Sequence, residues 1–93
     1  YIRMDLKVNN HPGVMSHVCG LFVRRGCNVE GIVCAPVSEG ESVIRLLVLD
    51  NGRMEQIARH ARQLEDVHQV DMRPSDRAEL DAVALQLKAA TPV

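Results

Sequence analysis

The side chains that could carry chemistry in this chain are four histidines, three cysteines, several serines and a set of carboxylates. His11 and His17 lie six apart, which does not place them on one helix face at the i, i+4 spacing of a helical metal pair. His60 is flanked by Arg59 and Arg62, a poor setting for a cation, and His68 falls in an alternating stretch that points it inward. There is no HExxH and no Cys-His ligand spacing, so the pattern argues against a metal centre. Cys19, Cys27 and Cys34 are odd in number and lack a CxxC pair, as expected of reduced thiols used as small apolar residues in a cytoplasmic chain. Ser16, Ser38, Ser42 and Ser75 have no His and acid partners by motif, and Glu39 and Glu41 share a turn that solvates them.

What remains is the stretch Asn9-Asn10-His11-Pro12-Gly13 and the helix that follows it. Pro12 suits the first turn of a helix, where its missing N–H is no loss, and Asn10 or His11 then sits near the N-cap. A helix N-terminus offers free N–H groups and a partial positive charge. Gly13 lets a ligand approach the backbone, and Asn10 adds an amide that both donates and accepts. Asn28 supplies a second neutral amide beyond the far end of that helix. A zwitterionic amino acid needs donors for its carboxylate and acceptors for its ammonium, and this set provides both. Capping by Asn10 and turn formation by Gly13 account for the same residues without a ligand, so both readings stand at this level.

The elements that must position these residues follow from periodicity. Residues 1–8 alternate, with Ile2, Met4, Leu6 and Val8 on one face, which predicts a half-buried strand. Val14, Val18, Leu21 and Phe22 recur at helical spacing, and Arg24, Arg25 and Gly26 end the segment, which predicts a helix over about 12–25. Residues 27–37 read as a second strand whose Gly31 and Pro36 call for an edge or a bulge. A turn at 38–41 leads to a third strand over 42–50, apolar on nearly both faces as a central strand is. Residues 51–65 carry the stripe Met54, Ile57, Ala58, Ala61 and Leu64 of a second helix, and residues 67–73 a fourth strand with His68, Val70 and Met72 on one face. Asp76 and Glu79 have capping-box spacing ahead of a short amphipathic helix with Leu80, Val83, Ala84 and Leu87; the last residues, AATPV, read as frayed.

The order βαββαβ predicts an α+β, ferredoxin-like fold: a four-stranded antiparallel sheet with two helices on one face and an extra C-terminal helix. Residues 1–73 make the domain and residues 74–93 the C-terminal helix and tail. The 93 residues fit one domain that buries about 60–65% of its unfolded surface, so association with another chain is unsurprising. With 2% aromatic residues the sheet has no platform for stacking bases, and a net charge of −1 gives no attraction for polyanions, so nucleic acid is excluded as a partner. No apolar run reaches the roughly 18 residues of a membrane span, and no signal peptide is visible. The first residue is Tyr1 and not Met, so residues upstream are expected. The same scaffold also carries small phosphatases, but those want an arginine in the loop after the first strand, and residues 9–13 hold none.

Residues 8–37, together with LLVLD and LEDVHQV, closely resemble the ACT domain of the regulatory small subunits of acetohydroxyacid synthase (acetolactate synthase). The short isozyme I type is most similar, with the same Asn-His-Pro-Gly loop, and residues 74–93 match less well. The N-x-x-G, helix, G-x-N-x-E pattern is fairly specific within ACT domains. The resemblance implies a non-catalytic homodimer that binds branched-chain amino acids such as L-valine, transmits feedback inhibition and activates a catalytic large subunit. Thiamine diphosphate, Mg and FAD are then expected only in that partner, and no cofactor in this chain. The family's loop Asn and Gly match Asn10 and Gly13, and its strand-2 Asn matches Asn28. His11, Pro12, Val14 and Ile32 complete the expected effector site; His11 and Pro12 replace the acidic-Ser type step of longer subunits. The alternative is a stand-alone acyl-phosphate hydrolase or a metal-responsive sensor on the same scaffold.

Overall fold

Strand β1 (Ile2–Asn9) forms because its alternation gives it one apolar face: Met4, Leu6 and Val8 are fully buried while Arg3, Asp5 and Lys7 point the other way. The computed structural model describes residues 1–10 and 12–90. After β1 come α1 (Val14–Arg24), β2 (Val29–Ser38), β3 (Glu41–Val48), α2 (Met54–Arg62), β4 (Val67–Pro74) and α3 (Arg77–Ala90). The strands form one antiparallel sheet in the order β2-β3-β1-β4, the ferredoxin-like arrangement expected from the sequence. Against Met4, Leu6 and Val8 lie Ile44, Leu46 and Val48 of β3, covered by Val18 and Phe22 of α1 and Ile57 and Ala61 of α2. Each large aliphatic side chain so buried contributes about 1.5–3 kcal/mol.

Several boundaries differ from the sequence reading, each for a local reason. α1 starts at Val14, with Gly13 as its N-cap at φ 92° and no capping side chain among the described residues. Pro12 therefore lies in the turn before the helix, and Asn10 caps nothing. At the other end Gly26 has φ 71°; its N–H donates to Val23 O at 3.0 Å and that of Cys27 to Phe22 O at 3.0 Å. Those two bonds satisfy the last carbonyls of the helix as the Arg-Arg-Gly step predicts. α2 is shorter than its 51–65 stripe. Asp50 and Asn51 accept the N–H groups of Gly52 and Arg53, each at 2.9 Å, and hold the first residues in turns. Gln63 and Leu64 then close tighter i→i−3 bonds at the end.

β2 is the edge strand, irregular at Val29/Gly31 and at Pro36/Ser38. The positions that read as edge or bulge signals thus mark both irregularities. A third irregularity corrects the inward placement of His68. The register passes from Lys7↔Gln69 to Val8↔Val67, so His68 is bulged out and exposed. Cys34 is exposed as well, because it sits on the open edge, while Cys19 and Cys27 are half-buried; burial pushes the Cys27 thiol up. Of the stretch AATPV that reads as frayed, Ala89 and Ala90 are the last residues of α3, because the helix runs on through them, and residues 91–93 lie outside the described residues.

Helix α3 crosses the sheet face opposite α1 and α2. Asp76 caps it through a 2.9 Å bond from the Ala78 N–H. Glu79 does not complete a capping box: its carboxylate accepts from Ser75 Oγ at 2.8 Å and from Arg3 Nη1 at 3.3 Å. These contacts, the Ser75 hydroxyl foremost, hold the Glu79 carboxyl below its ordinary range. A lowered native pKa means stability present above the ordinary glutamate value and lost as pH falls through the lowered one. Glu79→Gln is therefore expected to melt earlier than wild type at pH 7, the gap closing as pH falls below the ordinary glutamate range. Thermal melts of both across that range check this; a gap that persists in acid would assign the effect to packing instead.

Candidate functional site

The loop after β1 is held at its start by two main-chain bonds. The Asn9 N–H donates to Asp66 O at 2.9 Å, and the Asn10 N–H donates to Gly40 O at 2.9 Å. The α2–β4 turn and the β2–β3 turn thus clamp the loop from two sides. Asn10, Pro12 and Gly13 are exposed, and a Cβ built on Gly13 meets nothing within 4 Å. With φ 92° and ψ −14°, Gly13 turns the chain into α1 and leaves its own surface open. Among the described residues no side chain caps the helix, so its first-turn N–H groups have no side-chain partner there. His11 lies outside the described residues.

The remaining expected site residues are dispersed. Val14 is turned into the core and 6% exposed, so it forms no open wall. Ile32 sits on the β2 edge, 38% exposed. Asn28 is exposed just before β2; its Nδ2 donates to Glu30 Oε1 at 3.2 Å and its carbonyl accepts from the Leu49 N–H at 3.2 Å. β2 runs antiparallel to β3, and β3 to β1, so β1 and β2 run the same way. Asn10 follows the end of β1 and Asn28 precedes the start of β2, at opposite ends of the sheet. At the strand rise they are separated by on the order of 25 Å along the strand direction. Within one chain these two amides cannot share a small ligand.

A polar cluster behind the loop escaped the sequence reading. Asn9 Nδ2 donates to Asp66 Oδ1 at 3.3 Å, Asn9 Oδ1 meets His68 Nε2, and His17 Nδ1 lies 3.9 Å from Asp66 Oδ2. Asp66 joins the end of β1 to the first turns of α1, and no residue spacing signals that, because Asn9 and His17 come from two segments distant from it in the chain. On the opposite sheet face Arg45 grips Asp5 through two bonds of 2.9 and 3.1 Å, and Arg3 lies 3.7 Å from Asp5.

The family described as "AHAS small subunit-like ACT domain" matches residues 4–69. The acetolactate synthase isozyme 1 small subunit of Escherichia coli is 48% identical over 85 residues, which cover 90% of this chain and 88% of that protein. The chain belongs to the ACT-domain family of acetolactate synthase small subunits. It is accordingly a regulatory chain, not a catalytic one, and family membership displaces the hydrolase alternative. A small subunit implies a catalytic large subunit as partner. The probable small subunit of Methanothermobacter thermautotrophicus is 38% identical over 72 residues, and the match spans 42% of its length. Among solved structures, the small subunit of Thermotoga maritima superposes with a TM-score of 0.69 at 34% identity, over 76% of this chain and 45% of that one. The ACT domain of a Chlorobium tepidum GTP pyrophosphokinase, at 12% identity and a TM-score of 0.66, shares the fold alone. No described helix of the chain is long and apolar enough to cross a membrane.

The φ of Gly13 makes a direct test of the loop. Gly13→Ala places a Cβ in a left-handed conformation and is expected to cost about 1–2 kcal/mol. Gly13→Asn, better tolerated there, should cost less. Urea denaturation at fixed protein concentration distinguishes them, and equal stability of all three proteins would contradict the assigned backbone geometry.

Proposed function

We propose that two copies of this chain pair through β2 across a two-fold axis and bind L-valine at two shared sites. Each site takes Asn10 and Gly13 from one copy and Asn28 from the other. The observation that carries this reading is the placement of those residues at opposite ends of the sheet, flanking an edge strand. Antiparallel pairing of β2 with its twin reverses the second copy and swings its Asn28 toward the first copy's loop. The valine carboxylate docks on the uncapped N–H groups of α1, where the helix dipole favours an anion. The two neutral amides hold the ammonium and the remaining carboxylate lone pairs, so a zwitterion of no net charge needs no counter-ion. Gly13 leaves the approach open, and Ile32 supplies apolar surface for the isopropyl group. One methylene in such a pocket is worth about 1–3 kcal/mol, so leucine and isoleucine bind with different strengths.

In this reading the valine-bound dimer transmits feedback inhibition to the catalytic large subunit in branched-chain amino acid biosynthesis, and the dimer also activates that subunit. The thiamine diphosphate, Mg and FAD of the synthase belong to the catalytic chain, and the setting is cytoplasmic. Calorimetric titration should show valine binding to wild type and an affinity at least about tenfold weaker in Asn10→Ala. Valine at about 100 times its Kd should stabilise wild type by roughly 2.7 kcal/mol per site. Unchanged affinity in Asn10→Ala would place the effector elsewhere. A wild type with neither heat nor thermal shift would remove the valine assignment. A catalytic chain with the same activity and valine response in the absence of this protein would remove the regulatory one.

A further inference from the structure

The geometry points to a second element of the dimer: the C-terminal half of α3 is an arm that crosses the two-fold axis and packs on the open sheet face of the second copy. This rests on the β2 pairing proposed above. α3 is launched from the start of β1, where the Ser75 N–H donates to Tyr1 O at 2.9 Å, and by Leu80 it lies over the edge strand. Glu79 bonds Arg3 on β1 at 3.3 Å, and Leu80 covers Gly31 on β2 so closely that a Cβ there would lie 3.2 Å from Leu80 Cδ1. Gly31 is thus the socket that lets the helix approach the edge strand. The ten residues from Asp81 to Ala90 still follow, about 15 Å of helix, or some three strand spacings.

Cover fades along that length. Leu80, Val83 and Ala84 are half-buried, but the stripe continues to Leu87, which lines a cleft with Val29 and Ile32 and is 64% exposed. Leu85 is 68% exposed. The complementary surface lies on the same chain. Gly31, Val33 and Ala35 pair with Leu47, Arg45 and Val43 and share their open face, where Val33 and Val37 are 46% and 55% exposed. Beneath α3 this face borders a groove of about 810 Å³. A chain that carries both an apolar helix ridge and an apolar strand face is self-complementary under a two-fold axis, where each ridge meets the other chain's strand face. The patch is continuous with the unpaired β2 edge, so the strand that completes the sheet brings the second ridge with it. Residues 82–90 hold one charged side chain, Lys88, so two copies meet here without strong like-charge repulsion.

Mixed dimers of leucine-methyl-labelled and valine-methyl-labelled chains test the contact, because any NOE between the two labels crosses the interface. NOEs from Leu87 or Leu85 to Val33 or Val37 are expected, and a dimer that shows none overturns the arm. Leu87→Asp, at a position that is mostly exposed in the single chain, should fold and should raise the dimer dissociation constant at least about tenfold by sedimentation. An unchanged constant overturns the arm while leaving β2 pairing in place; a monomeric wild type overturns the pairing itself. Loss of catalytic-subunit activation in Leu87→Asp with dimerisation intact would assign the ridge to that subunit and also overturn the arm.

Discussion

Strand β2 pairs with β3 along one side and has no strand partner on the other among the described residues. A free row of N–H and C=O groups is a template for another strand, and proteins that must remain single usually blunt it. Here the blunting is confined to the ends. Register irregularities lie at Val29/Gly31 and Pro36/Ser38, and the regular run between them carries exposed Ile32, Val33 and Cys34 and no charged side chain. An edge irregular at its ends and apolar in its middle favours one register of pairing over slippage. Asn28 lies just before this run and the loop clamp at Gly40 just after it, so whatever pairs with the strand also sets the distance between the two amides.

The rest of the molecule holds that edge and the loop in fixed relation. The core between the sheet and α1 and α2 fixes the axis of α1, and with it the direction of its uncapped N–H groups. Gly13 makes the turn into that helix through a left-handed backbone, while Asp66 and Gly40 hold the residues before it. Because the clamps are main-chain bonds from two different turns, the loop is positioned by the fold more than by its own side chains. The Asp66 cluster adds side-chain bonds on the inner side of the loop, tying β1, α1 and β4 at one point.

α3 gives the opposite face a different character. Arg3, Asp5 and Arg45 would make this an ordinary wet face, but Glu79 reaches down to Arg3 and Leu80 covers Gly31, so the helix shelters Leu47 to 5% exposure. The shelter thins toward the sheet margin, where Leu85 and Leu87 are mostly exposed. Among the described residues an edge strand and exposed helix leucines therefore occur together, at one margin of a small domain whose core is largely aliphatic.

Local patterning determined most of the elements. Period-two alternation in residues 2–8, the helical stripe from Val14 to Phe22, the Arg-Arg-Gly ending and the Gly31 and Pro36 signals each act over a few residues, so strand, helix, stop and edge were legible in the chain. The loop was legible too, because Gly13 and its neighbours are turn residues. What local pattern does not encode is competition among distant partners. Asn10 was a candidate cap for α1, but its main chain is tied to the β2–β3 turn and the helix starts only at Val14, with Gly13 at the cap position. His68 fitted the alternation of β4, but a bulge against β1 turns it outward. Glu79 had capping-box spacing, but Arg3 and Ser75 draw its carboxylate away. Asp66 carried no signal at all, since its role exists only where three segments meet. The separation of Asn10 and Asn28 across the sheet is likewise a property of strand direction and order. Tertiary structure alone decided it, because only assembled strands place two sequence-near residues at opposite ends.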